Sequence, residues 1–113
     1  MKIIHQKIST KELSIMSAAL FGDLVKAVVD IDRELIALDA ELHSDLEALL
    51  LEDGSKQADL WGINLYPEAQ EADFIEFDSM INVRPSSGNR SRGVEKGAVR
   101  KKIIEVVTKW VTR

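Results

Sequence analysis

The chain has 113 residues, a net charge of −4 and no cysteine. That length makes one domain, residues 1–113, with an ordinary core, and the missing cysteine excludes disulfides, thiol chemistry and Cys-zinc sites. No apolar run approaches the ~20 residues of a membrane span, and the opening Met-Lys-Ile-Ile-His-Gln-Lys lacks the apolar stretch of a signal peptide, so a cytoplasmic protein without a membrane partner is expected.

Lys2 to Ile8 reads as a short strand, with His5 in a structural role. Ser9 and Glu12 have capping-box spacing. Leu13, Met16 and Leu20 follow at helical intervals and Gly22 is a natural stop, so a helix is expected over about 10–21. Val25 to Ile31 is β-rich, and Asp32-Arg33-Glu34 suits a turn.

Residues 35–51 admit two readings. Leu35, Leu38, Leu42, Leu46 and Leu49 fit one long amphipathic helix. Ile36, Leu38, Ala40 and Leu42 also alternate with Asp39, Glu41 and His43, and a second capping box, Ser44 to Glu47, marks a new helix start. The second pattern favours a hairpin of 25–31 with 35–42, then a helix over about 45–52.

Leu60 to Tyr66 reads as a strand, with Trp61, Ile63 and Leu65 on one face and Asn64 and Tyr66 on the other. An acidic connection, 67–73, links it to a second alternating run, 74–84. There Ile75, Phe77, Ser79, Ile81 and Val83 oppose Glu76, Asp78, Met80, Asn82 and Arg84. Pro85 stops the ladder. After a polar loop, Val99, Ile103, Val106, Val107, Trp110 and Val111 mark one face of a closing helix. Trp61 and Trp110 sit on apolar faces and read as core. The order βαββαββα implies an α+β fold, a small antiparallel sheet with helices packed on one face.

The loop 86–93 has the composition of a binding site. Ser86, Ser87, Gly88, Asn89, Ser91 and Gly93 leave backbone amides open, and Arg84, Arg90 and Arg92 add charge suited to planar anions. A second reading makes it a solvated loop whose arginines pair with Glu76 and Asp78. The site reading joins Asn89, Arg90, Ser91 and Arg92 to an open sheet face of Asn64, Tyr66, Asn82 and Arg84. Its partner would be an anionic small molecule or an acidic protein surface, with no cofactor.

Residues 1–83 hold 6 Lys/Arg against 17 Asp/Glu, whereas residues 84–113 hold 9 against 2. The basic end would attract anions. A nucleic-acid partner is not expected, because the whole chain is acidic. Two copies set antiparallel would match these charges and pair a free edge at 60–66 or 74–84, which points to a homodimer.

An alternative chemistry rests on carboxylates. Asp39, Glu41 and His43 would share a strand face, with Glu47 one turn on and Glu76 and Asp78 able to complete a divalent-metal set. With Arg90 and Arg92 as phosphate clamps this would be a metal-dependent phosphoester hydrolase. The loop is not a P-loop, since it lacks the Gly-Lys-Ser/Thr ending.

The runs Glu41-Leu42-His43, Leu49 to Ser55, Asp59 to Pro67 and Ile81-Asn82-Val83-Arg84-Pro85, with Gly88-Asn89-Arg90-Ser91, resemble a family of short prokaryotic proteins catalogued as a domain of unknown function. The resemblance spans nearly the whole chain. It implies a single domain and carries over no catalytic residue.

Overall fold

A computed structural model describes residues 1–113. The chain runs β1 (Lys2–Ile3), β2 (Ile8–Ser9), α1 (Thr10–Ala19), β3 (Val25–Asp30), β4 (Leu35–Leu38), α2 (His43–Glu52), β5 (Leu60–Leu65), α3 (Glu71–Phe74), β6 (Ile75–Glu76), α4 (Gly97–Trp110) and β7 (Val111–Thr112). Single 3₁₀ turns lie at Gln57–Asp59, Met80–Asn82 and Pro85–Ser87. The fold is α+β. Its main sheet has five antiparallel strands in the order β1-β4-β3-β5-β6. No helix is long and apolar enough to cross a membrane.

Capping and turn chemistry set the first half. Ser9 Oγ accepts from the Glu12 amide at 3.2 Å and starts α1, and Gly22, at φ +91°, turns the chain out of it. The β3–β4 hairpin closes on buried Asp30, whose Oδ1 accepts from the Asp32 and Arg33 amides at 2.9 Å each. Its other oxygen takes the Ser55 hydroxyl at 2.6 Å, which ties the turn to the end of α2.

Residues 35–51 follow the hairpin-and-helix reading, with a shorter strand and an earlier helix than expected. The helix starts at His43, its N-cap is Leu42, and no side chain caps it. Ser44 therefore lies inside the helix rather than at its cap. The expected strand over Lys2–Ile8 is instead two short strands in different sheets. β1 pairs with β4, while β2 runs parallel to β7.

The helices cover both faces of the sheet rather than one. Ala27, Val29, Ile36, Leu38, Trp61 and Ile63 pack with Leu13 of α1 and with Ile103, Val106 and Val107 of α4. Val28, Ala37 and Leu60 point the other way, onto Leu46 and Leu50 of α2. β5 is consequently buried along its whole length. The face carrying Asn64 is covered, not open as its polar residues suggested.

The expected strand over 74–84 pairs with β5 only at Asn64–Glu76 and Leu65–Ile75. Its first residue, Phe74, ends α3, and beyond Glu76 the chain leaves the ladder. Ser79 caps the Met80–Asn82 turn, its hydroxyl accepting from the Ile81 amide at 3.3 Å. Side chains then complete the vacated edge of β5. The Gly62 amide donates to Asn82 Oδ1 at 2.8 Å, and Asn82 Nδ2 donates back to the Gly62 carbonyl at 2.9 Å. Arg84 covers the Leu60 carbonyl. The strand 60–66 is thus flanked on both sides, and the free edges of the sheet are the two-residue strands β1 and β6.

Candidate binding cleft

The loop after Asn82 is stapled from within. Arg84 and Asn89 exchange backbone hydrogen bonds, 2.7 Å from the Arg84 amide and 3.1 Å from the Asn89 amide. Between them Pro85–Ser87 makes one 3₁₀ turn, and Gly88 reverses the chain at φ +86°. Asn89 is buried. Its Nδ2 donates to the carbonyls of Asn82 (2.8 Å), Ser91 (3.1 Å) and Gly93 (2.8 Å), while its Oδ1 accepts from the Glu95 amide at 2.9 Å.

The open amides expected in 86–93 are partly taken. Glu95 Oε2 accepts from the Arg90 and Ser91 amides at 2.7 and 2.8 Å. Those bonds hold the Glu95 carboxyl below its usual range. The chain's own carboxylate thus occupies the anion cradle that the loop forms. Arg92 pairs with Asp78 at 2.6 Å, as the solvated-loop reading had it, and Arg90 is exposed.

Arg84 is held differently. Its Nε donates to the Ile81 carbonyl at 3.1 Å, Nη1 to Gln57 at 2.9 Å and Nη2 to Leu60, and the guanidinium lies 4.3 Å from the Trp61 ring centroid. A guanidinium has five N–H donors, so three bonds leave two unspent. No carboxylate lies within 4.0 Å of it. Burial disfavours its charged form, and Glu47 on α2 opposes that effect.

These features meet in a cleft of about 270 Å³. Arg84, Ser87, Asn89 and Lys96 supply its polar walls, and Trp61 with Val99 supplies apolar ones. No lining residue is acidic. The Trp61 indole N–H is buried and has no partner.

The predicted site residues therefore divide. Arg84 and Asn89 border the cleft. Asn82 lies beneath it, buried, with its carboxamide spent on Gly62 and on the Arg92 carbonyl at 2.9 Å. Asn64 and Tyr66 belong to a separate cluster, both donating to Glu76 Oε1, at 2.8 and 3.2 Å. Burial, then Glu76, raises the Tyr66 pKa. Arg90, Ser91 and Arg92 form the outer rim of the loop and do not line the cleft.

The acidic–His set does not converge. No three His, Asp or Glu side chains are placed to hold a metal ion. Asp39, at φ +75°, faces the N-terminal amine at 3.9 Å. Glu41 is exposed, and His43 is buried at the start of α2 with its Nε2 2.8 Å from the Ile63 carbonyl. The expected shared strand face is lost because β4 ends at Leu38.

Sequence reasoning missed Lys96 and the part played by Trp61. Lys96 lies beyond the loop by sequence. Trp61 read as core, and its ring is indeed buried, yet it also floors the cleft.

The chain belongs to the family described as "Protein of unknown function (DUF5674)", whose family model matches residues 2–110. No curated protein and no solved structure matches the chain.

Proposed function

We propose that this protein is a non-catalytic binding module that takes a small oxyanion, free or as the carboxylate of a partner's side chain, in the cleft between Arg84 and Lys96. The observation that carries the reading is the state of Arg84. Three backbone carbonyls fix its guanidinium, two N–H donors are left over, and the lining around it contains no acid. A cation so placed has lost its entropy in advance, and a planar oxyanion suits its remaining donors. Lys96 adds a second charge and Ser87 a hydroxyl. The indole N–H supplies a further donor with nothing yet to meet. The loop cradle at Arg90 and Ser91 contributes shape rather than binding, because Glu95 fills it.

The test is a thermal-shift series with phosphate, sulfate, acetate and succinate at millimolar concentration. A ligand that binds the native state must raise its melting temperature. At least one of these anions should stabilise the protein, and Lys96→Ala should abolish the shift without altering the unliganded melting temperature. No stabilisation by any of them, or an equal shift in Lys96→Ala, would overturn the reading.

A further inference from the structure

We infer a second, separate site: the groove between α3–β6 and the C-terminal half of α4 binds a small amphiphilic carboxylate. The groove encloses about 420 Å³, within the range of small-molecule pockets, and seven of its ten lining residues are apolar. Phe74, Phe77 and Val107 form its walls, and Ile104, 45% exposed, stands at its edge. It shares no residue with the Arg84 cleft.

Its charged end selects the ligand. Arg113 lies 4.2 Å over the Phe74 ring and donates to the Ala69 carbonyl at 3.2 Å, which fixes the guanidinium at the groove mouth. Its carboxylate partner is Glu71, at 3.5 Å. The Glu71 side chain is 94% exposed, and an ion pair to so free a carboxylate is weak and easily exchanged. A ligand carboxylate whose chain is already held by the phenylalanines takes that place on Arg113 with its freedom largely spent. A neutral apolar molecule would gain the groove walls but nothing from this charge.

Decanoate and decanol, titrated below their aggregation limits and followed by amide and methyl NMR shifts, test the inference. Decanoate should bind saturably, with the shifts centred on Phe74, Phe77 and Val107. It should bind about tenfold more tightly than decanol, the scale of one charge-assisted hydrogen bond. Arg113→Gln should bring decanoate down to the decanol affinity and leave decanol unchanged. Thr108→Trp, an exposed position on the groove wall, should block both ligands while the far shifts of α1 stay in place. Equal affinity for the two ligands, shifts centred on Trp61 and Val99 instead, or binding that survives both substitutions would overturn the site. Binding only to anionic phospholipid vesicles, with no response to free decanoate, would overturn it as well.

Discussion

The Asn82 carboxamide is hydrogen-bonded to both backbone groups of Gly62, at 2.8 and 2.9 Å, as a neighbouring strand's peptide unit would be. The side chain stands in for a strand that ends at Glu76. Its second amide hydrogen reaches the Arg92 carbonyl, so one residue joins the sheet edge to the cleft loop.

Asn82→Ala leaves two buried backbone groups without their partner, the Gly62 amide and the Gly62 carbonyl, while the Arg92 carbonyl keeps its bond from the Ser79 amide at 3.0 Å. Each such loss costs about 1–3 kcal/mol, so a net loss of about 2–5 kcal/mol is expected. Urea unfolding measures it. A cost below about 1 kcal/mol would show that water replaces the carboxamide.

Gly62 is small because Ser79 sits on it. A Cβ at position 62 would lie 2.5 Å from Ser79 Cβ and 2.6 Å from its Oγ. Gly62→Ala should cost about 1–3 kcal/mol through overpacking. Ser79→Gly in the same chain should recover part of that loss, and the double-mutant cycle should give a favourable coupling. Strictly additive effects would sink this account of the contact.

Glu95→Ala should loosen the loop without unfolding the domain. The Arg90 and Ser91 amides lose their only acceptor, and their hydrogen exchange should accelerate toward that of an open loop. Unchanged protection at both amides would mean that Asn89 alone holds the loop.

His43 gives a pH dependence. Burial pushes its pKa below the ordinary 6.5, against the opposing pull of the Ile63 carbonyl. The unfolded chain then takes up a proton more readily than the folded one. This contribution to stability is whole above pH 6.5 and is lost as pH falls toward the lower folded value. Glu95 acts in the same direction, but only below its ordinary 4.5. Urea midpoints between about pH 7.5 and 5 should fall in the native protein and flatten in His43→Gln. Parallel profiles would place the dependence elsewhere.

The sequence showed the long helices because their apolar residues recur at helical spacing, and the inner strands because they are short apolar runs bounded by turn residues, buried on both faces. The Ser9–Glu12 cap, the Val25–Leu38 hairpin and the apolar face of α4 all come from local spacing. The 74–84 segment misled for a physical reason. Its alternation is real to the eye, but alternation does not separate a strand from a chain that sends Asn82 into an edge while Ser79 turns it aside. Likewise Asn89 and Asn82 have the composition of a ligand site, yet their side chains are spent on backbone groups. Arg84 was legible as a cation. That two of its donors remain unspent depends on three carbonyls that spacing does not reveal. Lys96 was missed because its place in the cleft is set by the packing of α4.

The parallel pair of β2 and β7 sets Ile8 beside Val111 and Ser9 beside Thr112, joining the two ends of the chain. Closing so long a loop costs chain entropy that the four residues of the ribbon do not repay alone, so the pair is expected to form after the sheet and helices it rests on. A substitution that weakens this ribbon, such as Thr112→Pro, should therefore leave the folding rate nearly unchanged and raise the unfolding rate. The ribbon acts as a latch on the lifetime of the native state rather than as a step on the way to it.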